Sequence, residues 1–141
     1  MSKLTRENAI VPLTAGMDLS EYVGFPVYAN NDGDAVVLEH GGRRAIGVLL
    51  SPGKEGEQVS VALFGSSGTV KVYVADEGTG FPLDAYQILS VKTLVNGART
   101  FSRQEDLTTT DPDLIHARTL SSIDNEGLVE AVLLHPPHDE F

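Results

Sequence analysis

Apolar and polar positions alternate with a period of two along much of this chain, most regularly in GEQVSVALFGSSGTVKVYV, residues 56–74. Val59, Val61 and Leu63 share one parity, Val70, Val72 and Val74 form a second row, and Gly65-Ser66-Ser67-Gly68 lies between them. Successive side chains of a strand point to opposite faces, so this pattern predicts two half-buried strands joined as a β-hairpin. The same grammar runs on either side. Phe25–Ala29 leads into the turn cluster Asn30-Asn31-Asp32-Gly33-Asp34, and Ala35–Glu39 leaves it. Ala45–Leu50 is apolar and is followed by Ser51-Pro52-Gly53-Lys54-Glu55-Gly56. Beyond the longer loop 76–84, Gln87–Val95 reads as a strand closed by Asn96-Gly97, with Ala98–Phe101 returning. Asn-Gly is a strong hairpin signal because both residues accept positive φ. Ile115–Leu120 and Leu128–Leu134 complete the series around Asp124-Asn125-Glu126-Gly127.

No window carries an apolar stripe at i, i+3, i+4, i+7 over three turns; the best helical candidate is the single turn Asp18–Val23, capped by Asp18 or Ser20. The expected fold is all-β: a small β-barrel or sandwich of short antiparallel strands with an extended N-terminal arm. Closure, or pairing with a partner, is how such a string of strands manages its edges. The arm is placed at residues 1–17, the barrel-like domain at 18–136 and a tail at 137–141. Within the arm, Ala9-Ile10-Val11-Pro12-Leu13 is the apolar patch, and Pro12 biases Val11 towards extended backbone.

Composition narrows the function classes. At 141 residues the chain can bury a core of its own, and with no cysteine it has neither disulfides, thiolate metal sites nor a cysteine nucleophile. Twenty acidic against ten basic residues give a net charge of −10, with no Lys/Arg-rich stripe, which argues against direct nucleic-acid binding and against anionic membranes. No apolar run approaches the roughly 18 to 20 residues of a spanning helix, and MSKLTRENAIVPL lacks a signal-peptide core. A product made and kept in a cytosol is expected.

Candidate chemistry is sparse. Ser66 and Ser67 in GSSG do not form a G-x-S-x-G elbow and read as turn residues. Of His40, His116, His135 and His138, the last two flank Pro136-Pro137, a stiff extended step that does not converge two imidazoles on one ion. Glu105, Asp106, Asp111 and Asp113 lie within one acidic loop, 103–113, and not across a cleft. Asn30–Asp34 supplies hard oxygens but lacks the twelve-residue calcium pattern, and Gly53-Lys54-Glu55-Gly56 is no phosphate cradle. No catalytic residue, metal site or cofactor is therefore expected.

Two stretches, AIGVLLSPGKEGEQVSVALFGSSGTVKVYV (45–74) and GLVEAVLLHP (127–136), resemble the capsid decoration, or head cement, proteins of tailed phages. The family's strands look like Gly47-Val48-Leu49, Gly56-Glu57-Gln58-Val59-Ser60-Val61, Gly68-Thr69-Val70-Lys71-Val72 and Glu130-Ala131-Val132-Leu133, Ala131 departing from the pattern; residues 19–42 look like its opening segment. The likeness spans residues 19–136 apart from 76–113. It implies a non-enzymatic protein on the outer surface of an expanded icosahedral head. There it would bridge neighbouring major capsid proteins as a homotrimer at threefold and local threefold positions. Its place would be the virion, after synthesis in the host cytoplasm. In that setting Ala9, Ile10, Val11, Pro12 and Leu13 become candidate capsid-binding residues, adding a strand to a capsid sheet edge. Two alternatives stand beside it. One is a small trimeric all-β enzyme or metal-dependent module such as a nucleotide hydrolase, although its G-x-[IV]-D-x-x-Y run is missing at Gly47–Gly53. The other is a carbohydrate- or surface-binding module resting on Tyr22, Phe81 and Tyr86.

Overall fold

In the computed structural model the described residues are 10–38, 44–65, 68–75, 81–95, 98–103 and 116–134, with backbone alone described at 92–95. They form ten strands and no helix; Asp18–Val23 makes tight turns instead, with the Tyr22 N–H donating to Leu19 O (3.3 Å) and the Phe25 N–H to Tyr22 O (3.0 Å). The protein is all-β. Strands β1 (Ile10–Thr14), β2 (Pro26–Ala29), β3 (Ala35–Val36), β4 (Gly47–Leu49) and β5 (Gln58–Leu63) make a five-stranded sheet in the order β1-β5-β4-β2-β3. Its two margins touch through a parallel bridge, Ala15 to Ala35, where the Gly16 N–H donates to Ala35 O (2.8 Å). Strands β6 (Val70–Val74), β7 (Ile88–Val95), β8 (Ala98–Arg103), β9 (Ala117–Thr119) and β10 (Gly127–Leu133) close a barrel in the order β10-β6-β8-β7-β9. Four of its five seams are antiparallel, and the fifth is the single parallel pair Val74 to Phe101.

The strands expected around residues 56–74 are present, but they are not a hairpin. β5 already has both edges occupied, by β1 through Val11 to Val61 and Leu13 to Val59, and by β4 through Val48 to Ala62. No edge is left for β6, which pairs with β10 and β8 in the barrel. Phe64 makes the crossing: its N–H donates to Ile46 O (3.1 Å) while its ring lies edge-on to Phe101, centroids 6.4 Å apart. The other expected hairpins form. β2 and β3 pair at Ala29 to Ala35 around the Asn30–Asp34 turn, and β7 and β8 pair up to Val95 and Ala98.

Two apolar cores result, and β4 and β5 feed both. Leu49, Val59 and Val61 pack with Leu19, Val27 and Val37 inside the five-stranded sheet. Val48, Ala62 and Phe64 point the other way, into the barrel core with Val72, Leu89 and Phe101. The close approach of paired β5 fixes Gly47, where an added Cβ would lie 2.2 Å from Ala62 O. At the second junction Gly24 has φ +94°, an added Cβ there would lie 2.5 Å from Leu128 Cδ2, and its carbonyl accepts the Tyr73 N–H at 2.9 Å. Phe25 stacks on Tyr73 beside it, centroids 4.9 Å apart.

The backbone approach at Gly47 cannot relax by moving a flexible side chain. Gly47→Ala is therefore expected to destabilise the fold by at least about 2–3 kcal/mol, the scale of core overpacking. Gly33→Ala, at φ +82° but with nothing within 4 Å of the added Cβ, is expected to cost only about 1 kcal/mol. Urea midpoints of the two variants give the comparison, and equal losses would show that the Gly47 contact relaxes.

Candidate functional site

The apolar patch expected in the arm lies in β1. Ala9 lies outside the described residues; Ile10, Val11, Pro12 and Leu13 are extended, as expected, but pair along β5 rather than standing free. The break expected at 17/18 is likewise bridged: Ala15 is 1% exposed, its N–H donates to Glu57 O (2.8 Å) and its carbonyl accepts the Gly56 N–H (2.9 Å). Residues 10–17 are integral to the sheet because Val11 and Leu13 pack on its core. Ile10, Pro12 and Thr14 form the opposite, exposed row, with Ile10 53% exposed. β1 ends the strand order; the bridge to Ala35 closes the C-terminal end of its outer edge, which among the described residues is open at Ile10 and Pro12.

Backbone directions along that edge follow from the hydrogen bonds around it. Ala15 bonds to β5, whereas Gly16 bonds outward to Ala35. Antiparallel pairing alternates, so Val11 and Leu13 bond inward to β5 while Ile10, Pro12 and Thr14 turn their backbone groups outward. The bridge to Ala35 takes up the Thr14 carbonyl along with the Gly16 N–H, so the stretch still open carries the carbonyls of Ile10 and Pro12, and Pro12 has no N–H. A partner strand could complete a hydrogen-bonded pair at Ile10 and not at Pro12.

A second exposed feature sits at one end of the barrel. Tyr86 has φ +63°, the one positive-φ residue other than glycine among those described, and its side chain is 68% exposed. Its turn is clamped by wholly buried Thr119. The Thr119 hydroxyl donates to Asp84 O (2.9 Å) and accepts the Gln87 N–H (2.8 Å), while Thr119 O accepts the Tyr86 N–H (2.8 Å). On the flank, Leu83 and Ile123 exchange both backbone hydrogen bonds, at 2.8 and 2.9 Å. The turn is thus held rigid by groups that do not involve the phenol ring.

On the outer face of β6 and β10, the Tyr73 hydroxyl donates to the Glu126 carboxylate and the Thr69 hydroxyl to Glu130 (2.6 Å). Burial, and then the hydrogen bond to Glu126 and its negative charge, push the Tyr73 pKa up to about 12. This phenol stays neutral at any physiological pH and serves as a strut from the barrel to the 124–126 turn.

The other sequence candidates resolve into structure. Asn30 Oδ1 accepts the N–H groups of Asp32 and Asp34, both at 2.9 Å, so that carbonyl oxygen is used within the turn. The Glu57 carboxylate accepts the Lys54 N–H (2.8 Å), placing an anion of the chain's own in the Gly53–Gly56 turn. His116 packs on Phe64, ring centroids 5.3 Å apart, and its backbone joins β7 to β10. Tyr22 lies edge-on to Phe25 at 5.0 Å, and Phe81 packs on the barrel core, so of the three aromatics considered for a binding face Tyr86 alone is largely exposed. His40, Ser66, Ser67, the acids of 105–113, His135 and His138 lie outside the described residues. Among the described residues no group of three or more His, Asp or Glu side chains is placed to hold a metal ion.

Fold and site together define a small all-β protein of two packed five-stranded units, with an open strand edge on one and a rigidly held tyrosine on the other. No family model matches the chain, and no curated protein matches it in sequence.

Two outcomes are expected from this geometry. Tyr86→Gly removes a left-handed side-chain penalty of about 1–2 kcal/mol, offset in part by the greater freedom of unfolded glycine. A net gain of up to about 1 kcal/mol should appear as a Tm rise of a few degrees; a fall in Tm would show that the ring contributes to the fold. For Tyr73 the folded pKa lies above the ordinary phenol value of 10.0, so its contribution is complete below pH 10 and is lost as pH rises through about 12. Tyr73→Phe should therefore flatten the decline of stability in that alkaline window, measured by denaturant titration at stepped pH.

Proposed function

We propose that this protein is a capsid decoration protein of a tailed phage. It binds the outside of an expanded head and bridges neighbouring major capsid proteins, as a homotrimer at threefold and local threefold positions. The observation that carries the reading is β1, where the patch expected to meet the capsid forms a strand with an open outer edge and an exposed Ile10. The stretches that resemble the family also support it. Gly47–Leu49, Gln58–Leu63, Val70–Val74 and Gly127–Leu133 are all strands of a small two-core β protein. A rigid scaffold with exposed contact groups suits a clamp, which needs complementary surface and not reactive groups.

The geometry revises how the contact is made. Full strand addition at β1 is interrupted at Pro12 and closed off beyond it by the bridge to Ala35, so the Ile10 side chain and the carbonyls of Ile10 and Pro12 carry the contact. Weak individual contacts suffice when the three copies of one trimer engage the shell together, because linked sites raise the effective concentration.

Co-sedimentation with expanded, undecorated phage shells tests the reading. Saturable binding at a small whole number of copies per local threefold is expected, and Ile10→Asp should weaken it by about tenfold or more. Ile10 is 53% exposed, so this variant keeps the fold, whereas deleting residues 1–17 would strip Val11, Leu13 and Ala15 from the core. Absence of binding by the wild type would overturn the proposal, and calorimetry with zinc, calcium and nucleotides would then take up the enzyme alternative.

A further inference from the structure

The part of the β1 edge that stays open is short, and a bridge between large bodies needs more. Specific protein contacts bury about 800 Å² on each partner, from roughly 20 to 30 residues. Ile10 and Pro12 supply a small fraction of that, so a decoration protein held by β1 must present a second surface. Among the described residues the large hydrophobic side chains that stand exposed are Ile10, Leu38, Tyr86 and Leu128. Leu38 ends the described stretch 10–38, and Leu128 closes over Gly24, where an added Cβ would meet its Cδ2. Tyr86 stands on a turn whose clamp is described on both sides, at residues 84–87 and at Thr119.

Tyr86 holds this position at a cost. The Thr119 clamp acts on the Asp84 carbonyl and on the N–H groups of Tyr86 and Gln87, so the left-handed backbone is set without the side chain at position 86. Glycine takes that conformation freely, and asparagine takes it more readily than a bulky ring does. Burial does not offset the penalty, because most of the ring lies in solvent. Strain held without a local return points to a side chain used by something outside the fold. What it preserves here is an outward aromatic ring with a polar tip, on a backbone that needs no ordering when it is met. Tyrosine often anchors protein interfaces, since its ring fills an apolar recess while its hydroxyl bonds at the rim.

We propose that Tyr86 is the barrel's anchor on the shell: its ring inserts into an apolar recess with a polar rim on a major capsid protein, while Ile10 supplies the contact of the five-stranded sheet. The inference rests on the decoration reading and adds to it the residue through which the second unit binds. One anchor on each unit is what a bridge requires.

Two variants and a cross-link, each with expanded, undecorated shells, test it. Tyr86→Gly is expected to keep or raise the Tm and yet to bind shells about tenfold or more weakly than the wild type in co-sedimentation. Tyr86→Phe keeps the ring and is expected to stay within about threefold of wild-type binding. Should Tyr86→Gly fold poorly, Tyr86→Asn relieves the same backbone. With photoreactive benzoylphenylalanine at position 86, irradiation of the decorated shell is expected to join the chain to the major capsid protein. Cross-linking to a second copy of the chain alone overturns the proposal, as does a Tyr86→Gly variant that binds at wild-type strength. A Tm that falls in step with binding for both the glycine and the asparagine variants overturns it too, because the ring would then serve the fold. These results leave the decoration reading standing wherever the wild type binds and Ile10→Asp weakens binding. A wild type that binds no shell overturns that reading and the anchor with it.

Discussion

Burial of β4 and β5 on both faces is the constraint from which the rest of this molecule follows. A sheet with one wet face needs apolar residues at alternate positions only; here Val48 and Ala62 serve one core while Leu49, Val59 and Val61 serve the other. Two five-stranded units thereby share a wall. Each is small for a core of its own, and fusing them along two shared strands buries both, alternate residues of the same strands serving each. Gly47 is where these two strands crowd each other, since the Ala62 carbonyl of neighbouring β5 lies 2.2 Å from where its Cβ would stand.

The shared wall also explains what was and was not legible in the sequence. Strand positions could be read wherever alternation was plain, and β5, β6 and β10 lie where it predicts. Turn chemistry located two real hairpins, because Asn30–Asp34 and Asn96-Gly97 sit between strands whose edges were free to pair. The same inference failed at Gly65–Gly68. Alternation reports which face is buried and is silent about which edge is occupied, and β5 had lost both edges to β1 and β4, strands that precede it in the chain. One local clue was available in Ala62 and Phe64, apolar residues on the parity that a half-buried strand gives to solvent.

The candidate site was half legible for a related reason. Pro12 and its apolar neighbours marked an extended segment, and the segment is extended. That it docks on β5 depends on Val59 and Val61, some fifty positions away, and no local pattern encodes that pairing. Tyr86 was picked out as an aromatic near a loop, but its backbone conformation was invisible. The cause lies in Thr119, whose hydroxyl and carbonyl fix the turn from across the barrel.

The two exposed features differ in what holds them, and this bears on what each can do. β1 is anchored by a ladder and by half-buried Val11 and Leu13, so its outer edge is as rigid as the sheet behind it but incomplete as a strand template. The Tyr86 turn is held through its own backbone groups by the hydroxyl and carbonyl of Thr119, leaving the ring with two rotatable bonds. A partner meeting either surface loses little conformational freedom in the scaffold, and ordering of flexible groups is among the larger costs of association. Fixed backbone and uncommitted side chains are what a clamp between larger bodies requires, since compliance in the scaffold would be lost as stiffness in the assembly.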